Sequence, residues 1–164
     1  MSRTVVLAYS GGLDTSVAVK WLAEGGYRVV AFMANVGQGD PQPRAVRRAK
    51  IAGAAEVVVR DLRREFAQDY ILPSLQAQAL YENKYVLATA LSRPLIAKHL
   101  VDVAHAKRAT AVSHGCTGKG NDQVRFEVTI RALDPSLKII SPVREWEFRS
   151  RDEEMAYARQ HGIP

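Results

Sequence analysis

The stretch that decides the fold is TVVLAYSGGLDTS, residues 4–16, near the start of the chain. Its first half, Thr4–Tyr9, is mostly apolar and lacks apolar/polar alternation, as is typical of a strand buried on both faces of a parallel sheet. Ser10-Gly11-Gly12 follows at once, and two glycines allow a tight turn and a close approach of the backbone to a ligand. The stretch therefore predicts a strand, a ligand-facing loop and the start of a helix.

Short apolar runs alternate with helix-length segments along the rest of the chain. The predicted strands are Thr4–Tyr9, Arg28–Asn35, Glu56–Arg60, Thr110–His114 and Lys138–Ser141. The predicted helices are Thr15–Glu24, Pro43–Ala52, Leu91–Lys107, Asp122–Leu133 and Arg151–His161, and the segment Tyr81–Tyr85 is predicted as a loop. A strand followed by a helix five times over indicates an α/β fold with a doubly wound, parallel five-stranded sheet and helices on both faces. Ligands of such sheets bind at the carboxyl ends of the strands.

Length and composition are those of one globular domain. The chain has 164 residues, of which 47% are hydrophobic and 24% charged. No apolar run is long enough for a membrane helix, so we expect no membrane partner. The single cysteine, Cys116, excludes an internal disulfide framework and favours a reducing, cytoplasmic location.

The net charge of +6 has three interpretations: an anionic ligand such as a nucleotide, a nucleic acid, or an ordinary solvated surface. The basic residues are scattered, and no aromatic residues interleave with them as a single-strand stacking platform requires. We therefore expect a small anionic ligand and no nucleic-acid partner.

Polar residues after the two glycines predict an anion site. Asp14, Thr15 and Ser16 open a helix whose free N–H groups point into the loop, which suits a triphosphate. The simpler interpretation is that Asp14 or Thr15 is an N-cap after an ordinary turn. A carboxylate beside phosphates needs a cation between them, so Asp14 indicates Mg²⁺ bound through the phosphates.

Two motifs identify a family resemblance. SGGLDTS after an apolar strand resembles the loop of the ATP pyrophosphatases, which cleave ATP between the α- and β-phosphates. HGCTGKGNDQVRFE, residues 114–127, closely resembles the argininosuccinate synthases, as do VGQG at residues 36–39 and SRPLIAK at residues 92–98. The resemblance covers the whole chain. It implies an adenine nucleotide alpha-hydrolase-like, Rossmann-like domain at residues 1–164, with the C-terminal synthetase domain absent from the chain.

The resemblance also implies an activity. Members of this family ligate citrulline to aspartate in arginine biosynthesis, with ATP consumed to AMP and pyrophosphate through citrullyl-AMP. The implied small-molecule partners are ATP, citrulline and aspartate, the implied cofactor is Mg²⁺, and full-length members form homotetramers. Two alternatives stay open: an ATP-binding module without turnover, and a tRNA-modifying ATP pyrophosphatase.

Site residues are carried over by position in the matching motifs. The residues implied to bind ATP are Ala8, Tyr9, Ser10, Gly11, Gly12, Leu13, Asp14, Thr15, Ser16, Ala34 and Gly115, with Asp14 and Ser16 in catalytic roles. The implied aspartate contacts are Thr117, Asn121 and Asp122, and the implied citrulline contacts are Tyr85, Thr89, Asn121 and Arg125. Cys116 as a catalytic thiol is disfavoured, because thiolating relatives carry a cysteine pair. For His114, a role in the site and a structural role are both open.

Overall fold

The computed structural model describes residues 3–39 and 43–164, so the predicted domain at residues 1–164 includes five residues that lie outside the description. The strands are β1 Arg3–Ala8, β2 Tyr27–Asn35, β3 Glu56–Asp61, β4 Ala111–His114 and β5 Lys138–Ile140. The helices are α1 Leu13–Glu24, α2 Pro43–Ile51, α3 Arg63–Glu65, α4 Leu72–Gln76, α5 Ala88–Ala106, α6 Asp122–Leu133, α7 Pro142–Glu145 and α8 Arg151–Gln160, with a π-helical stretch at Phe66–Ile71.

All five strands form one parallel sheet, as the sequence predicts, and the structure shows their order to be β3-β2-β1-β4-β5. The chain builds outward from β1 to β3, crosses back, and continues on the other side with β4 and β5. The switch point therefore lies at the end of β1. Ala8 is in register with both Phe32 and His114, so the carboxyl ends of these three strands lie level at one edge of the sheet.

Two apolar layers cover the sheet. Val5 and Leu7 face the layer formed with α1, α2 and α8, whereas Val6 between them faces α5 and α6. These three side chains are fully buried, because alternate residues of a central strand point to opposite helix layers. Packing thus fixes both faces of β1. The chain leaves this packed core in the loop at the carboxyl end of the strand.

Several element boundaries differ from the sequence prediction by one to three residues. Helix α1 begins at Leu13 and not at Thr15, because Gly12 takes the N-cap position in an extended conformation. The helical segment over residues 63–76 was not predicted. It is anchored by Phe66, which is buried against Leu62 and Leu95 in a third, smaller apolar cluster. The predicted loop at residues 81–85 is confirmed; it closes through an isolated antiparallel bridge between Tyr81 and Tyr85.

Within residues 3–39 and 43–164, none of the helices combines the length and apolar character needed to cross a bilayer.

Candidate functional site at the switch point

A cavity of about 1060 Å³ opens where β1, β2 and β4 end. Its walls come from the loops after these three strands, from one face of α5 and from the start of α6. This is the place where ligands of doubly wound sheets bind. The charged side chains that line the cavity are Arg93, Lys119 and Asp122, so the lining carries a net positive charge.

The first loop is packed tightly against α2. Gly11 has a φ of +84°, and a Cβ atom there would lie 2.8 Å from the Cβ of Ala45. Arg48 of α2 donates a hydrogen bond from Nη1 to the carbonyl oxygen of Gly11 at 2.5 Å. Glycine is therefore required at this position both by its left-handed backbone and by the neighbouring helix.

The loop ends at an uncapped helix. Gly12 is the N-cap of α1 and supplies no side chain, and the first intrahelical bond runs from the amide of Ser16 to the carbonyl oxygen of Gly12 at 3.1 Å. The amides of residues 13–15 precede this bond and have no partner within the helix. Asp14 and Thr15 lie inside the first turn, so the interpretation of either as the N-cap is wrong. Free amides and the helix dipole together favour an anion at this end.

The serine and threonine residues at this helix start differ in their relation to the cavity. The hydroxyls of Ser10 and Thr15 are 3.1 Å apart, and both residues line the cavity. Ser16 is fully buried behind the loop; its Oγ donates to the carbonyl oxygen of Gly12 at 2.7 Å. The same Oγ bonds the hydroxyl of Tyr9 at 2.9 Å. Burial raises the pKa of Tyr9, outweighing the opposing effects of Ser16 and Arg48.

Asp14 lies beside the cavity and does not line it. Its carboxylate is 40% exposed and 3.7 Å from Nη1 of Arg151 in α8. Its charge also acts on Glu154, whose pKa is raised first by burial and then by Asp14. Asp14 therefore joins the start of α1 to the start of α8 and keeps a solvent-facing carboxylate next to the anion loop.

The loop after β2 is held by amide side chains. Gln38 donates from Nε2 to the carbonyl oxygen of Ala34 at 2.6 Å and accepts from the amide of Val36 at 2.7 Å. Asn35, which is buried, accepts from the amide of Gly37 at 3.0 Å. Ala34, Val36 and Gln38 all line the cavity.

The loop after β4 touches the loop after β1. A Cβ atom on Gly115 would lie 2.9 Å from Cγ2 of Thr15, so these two loops meet only because residue 115 has no side chain. His114, which precedes it, is 1% exposed, and its Nδ1 accepts from the amide of Cys116 at 3.3 Å. His114 thus shapes the turn and lines the cavity wall, which shows its structural role; a role in the site stays a prediction.

The thiol of Cys116 is unsuited to nucleophilic chemistry. Burial is the main cause that raises its pKa to about 11, and the negative charge of Asp122 adds to the effect. The thiolate is the reactive form, and at neutral pH this cysteine is protonated.

A carboxylate held between two guanidinium groups lies at the start of α6. Asp122 accepts from Nε of Arg93 at 2.9 Å and from Nη1 of Arg125 at 2.7 Å. Partial burial by itself would raise the pKa of Asp122, but the bonds and charges of Arg93 and then Arg125 outweigh it and lower the pKa. Asp122 is therefore ionised at neutral pH.

The structure brings many of the sequence-predicted site residues to one cavity. Those that line it are Ala8, Tyr9, Ser10, Thr15, Ala34, Thr89, Gly115, Thr117, Asn121 and Asp122. Those adjacent to the lining are Gly11, Gly12, Leu13, Asp14 and Ser16 in the first loop, together with Tyr85 and Arg125. The hydroxyl of Tyr85 accepts from the amide of Thr89 at 3.3 Å, and Arg125 reaches the site through Asp122.

The polar cavity residues that were assigned no role from the sequence include Gln38, Ser92, Arg93 and Lys119. Arg93 had a detectable signal, because Thr89, Arg93 and Ile96 follow the four- and three-residue spacing of a single helix face, and all three line the cavity. Gln38 and Lys119 lie in loops, where no periodicity indicates the direction of a side chain.

Comparisons with known proteins identify relatives of the chain. The family described as the arginosuccinate synthase N-terminal HUP domain matches residues 4–164. Argininosuccinate synthase of Bacillus pumilus is 58% identical over 163 residues, which are 99% of this chain and 40% of that protein. Argininosuccinate synthase of Carboxydothermus hydrogenoformans is 54% identical over 165 residues, covering 100% of this chain and 41% of that protein. The chain thus spans about 40% of the length of these relatives.

A solved structure shares the fold at low sequence identity. It is described as a predicted subunit of tRNA methyltransferase from Methanocaldococcus jannaschii, and it matches with a TM-score of 0.62 and 18% identity. The match covers 93% of this chain and 76% of that one. At this identity the likeness shows the fold alone.

Proposed function

The chain belongs to the arginosuccinate synthase N-terminal HUP domain family, and we propose from this premise that it binds ATP at the loop after β1 and contributes to the ligation of citrulline to aspartate. The observation that carries the proposal is the contact of two glycine loops at the switch point. Gly115 lies against Thr15, directly beside the free amides of α1. A bound nucleotide would therefore meet both loops at once.

The phosphates would bind the start of α1. The amides of residues 13–15 and the hydroxyls of Ser10 and Thr15 supply donors on one side of the cavity. Ser16 was predicted to be catalytic. Its bonds to Gly12 and Tyr9 support a different contribution, in which it holds the loop in shape from behind.

The residues at this loop fit Mg²⁺ delivered with the nucleotide. Among the residues that the structure describes, no group of three or more His, Cys, Asp or Glu side chains could hold a metal by itself. Mg²⁺ commonly binds through one or two carboxylates together with phosphate oxygens. Asp14, with its exposed carboxylate beside the anion loop, would be that carboxylate. When bound, the metal would neutralise charge on the phosphates.

The amino-acid substrates would bind at the opposite wall. Thr117, Asn121 and Asp122 are the proposed aspartate contacts, and the ionised Asp122 suits an ammonium group. The proposed citrulline contacts are Tyr85, Thr89, Asn121 and Arg125. Guanidinium groups bind carboxylates in a bidentate manner, so Arg125 and the neighbouring Arg93 provide the charge that two amino-acid carboxylates require.

In the proposed reaction, the ureido oxygen of citrulline attacks the α-phosphorus of ATP and displaces pyrophosphate. The amine of aspartate then attacks the activated carbon and displaces AMP. The residues of this chain would act by positioning the reactants and by stabilising charge near the α-phosphate. No covalent bond to the protein is needed.

The complete ligation is proposed for the family's whole length, of which this chain spans about 40%. A nucleotide-binding module without turnover is the alternative. Calorimetric titration distinguishes these two functions. ATP is titrated with and without Mg²⁺, and citrulline and aspartate are then added. Heat from ATP alone supports the module, whereas citrulline-dependent release of pyrophosphate supports the first half-reaction in this chain. The absence of ATP binding to the folded chain would refute both.

A further inference from the structure

The side chain of Gln38 folds back onto the end of β2 and bonds two backbone groups there. Its Nε2 donates to the carbonyl oxygen of Ala34 and its Oε1 accepts from the amide of Val36, at 2.6 and 2.7 Å. Along an extended chain, residues two apart point their backbone groups to the same side. Ala34 and Val36 therefore offer one acceptor and one donor side by side, and a single carboxamide occupies both.

Adenine carries the same pair of groups as a carboxamide. Its exocyclic N6 amino group is a donor, and the neighbouring ring nitrogen is an acceptor. An acceptor–donor pair that binds the Gln38 carboxamide is therefore complementary to an adenine edge. Guanine presents an oxygen where adenine has N6, and this oxygen would face the carbonyl oxygen of Ala34.

The position of this pair suits a base whose phosphates lie at the start of α1. Ala34, Val36 and Gln38 line the same cavity as Ser10 and Thr15. Strands β1 and β2 are direct neighbours, and Ala8 is in register with Phe32 two residues before Ala34. The pair and the phosphate loop are thus next to each other at one edge of the sheet.

We propose that Gln38 is a specificity-determining residue, whose carboxamide occupies the adenine-binding groups of the free protein and leaves them when an adenine nucleotide binds. This inference rests on the proposed binding of ATP. Gln38 is exposed, so its amide can return to water. Gly37 and Gly39 on either side have φ of +108° and +97°, and among the described residues no atom lies within 4 Å of either Cβ position, so no close contact with that part of the chain holds the segment at these two points.

Removal of the carboxamide should strengthen the binding of adenine nucleotides only. The loss of two competing neutral hydrogen bonds predicts that Gln38→Ala binds ATP about 5- to 150-fold more tightly. The affinity for inorganic tripolyphosphate, which has no base, should stay unchanged, and the ratio of ATP to GTP affinity should rise. Gln160→Ala, at an exposed residue of α8, is the matched control.

The test is calorimetric titration of the wild type, Gln38→Ala and Gln160→Ala with ATP, GTP and tripolyphosphate. Tighter ATP binding by Gln38→Ala alone, with equal tripolyphosphate binding, supports the inference. Unchanged or weaker ATP binding by Gln38→Ala overturns it while the proposed function stands. Wild-type protein that binds tripolyphosphate but prefers no base also overturns it. Folded wild type that binds neither ATP nor tripolyphosphate overturns the proposed function, and this inference with it.

Discussion

Arg48 and Gly11 join α2 to the loop after β1 through a single hydrogen bond of 2.5 Å, from the guanidinium Nη1 to the backbone carbonyl oxygen. The same arginine has a buried Nε that makes no hydrogen bond to any residue within 3–39 and 43–164. Because the carbonyl of Gly11 is turned toward α2, it points away from a bound anion. Arg48 is therefore a positioning residue for the loop rather than a contact of the phosphates.

We expect Arg48→Met to weaken ATP binding about three- to tenfold, since the loop loses one charge-assisted bond. The loss of folding stability should be small, about 1 kcal/mol, because the substitution also removes a buried polar atom that has no partner. Calorimetry and denaturant unfolding measure the two effects. Arg47→Met changes an exposed neighbour of equal charge and should leave both unchanged. Equal effects of the two variants would show that only the charge of α2 matters.

The contact between Gly115 and Thr15 predicts that a substitution at one position can restore the ATP binding lost through a substitution at the other. Gly115 does not have a left-handed φ, so an alanine is allowed by the backbone, but its Cβ would lie 2.9 Å from Cγ2 of Thr15. Gly115→Ala should therefore push the two loops apart and weaken ATP binding, at a cost of about 1–3 kcal/mol. Thr15→Ser removes the methyl group that clashes and keeps the hydroxyl.

The double variant Gly115→Ala/Thr15→Ser should recover most of the lost affinity. A thermodynamic cycle of the four proteins, measured by ATP titration, gives the coupling between the two positions, expected at about 1 kcal/mol or more. Additive effects would mean that any loss of affinity in Gly115→Ala does not arise from contact with the methyl group of Thr15.

The sheet and its switch point could be predicted from the sequence, because buried parallel strands appear as near-continuous apolar runs such as residues 4–9. The helical segment around Phe66 could not. Its few buried side chains pack against Leu95, which lies far along the chain, and a local pattern cannot report such a contact.

The candidate site, like the fold, could be predicted from the sequence only in part. Motif positions predicted which residues converge on the cavity, since most of them lie at the end of a strand or shortly after it, and these strands end at the same edge. They did not predict that Ser16 bonds inward to Gly12, or that Gln38 bonds Ala34 and Val36. These directions depend on backbone geometry within loops, which residue identity alone does not determine.

Asp14 provides a test of the proposal that Mg²⁺ binds together with the nucleotide. We expect Asp14→Asn to weaken ATP binding in the presence of Mg²⁺ by about tenfold or more, the worth of one charge-assisted interaction. Binding without Mg²⁺ should weaken less or not at all, because the substitution also removes a negative charge beside the phosphates. Asp152→Asn, at an exposed acid of the first turn of α8, is the control. Equal losses of ATP affinity with and without Mg²⁺ would mean that Asp14 acts only as the ion-pair partner of Arg151.

Asp122 provides a test of the proposal that ATP binds at one wall of the cavity and the amino-acid substrates at the opposite wall. We expect Asp122→Ala to leave ATP affinity within about twofold, because its contacts are Arg93 and Arg125 and not the phosphate loop. The change that citrulline and aspartate produce in the calorimetric signal should be lost. A large fall in ATP affinity, measured on protein shown to be folded by circular dichroism, would contradict the placement of the amino-acid substrates at this wall.

His114 makes folding stability depend on pH near neutrality. Burial lowers its pKa, and the positive charge of Arg144 acts in the same direction, whereas Glu127, 3.4 Å from Nε2, and Glu145 oppose the shift. The folded pKa is thus below that of the unfolded chain, about 6.5, so the unfolded state binds more protons in this range. The stabilisation is fully present above the unfolded pKa and is lost as pH falls toward the folded pKa.

We therefore expect the free energy of unfolding of the wild type to decrease between about pH 7.5 and 5.5, with a slope of at most about 1.4 kcal/mol per pH unit from this one group. His114→Asn, whose Oδ1 can still accept from the amide of Cys116, should be less stable at pH 7.5 but show a flatter profile. Urea unfolding at each pH gives the profiles. If His114→Asn kept the wild-type slope, the proton uptake would belong to other groups, and burial of the His114 ring would have no measurable linkage to folding.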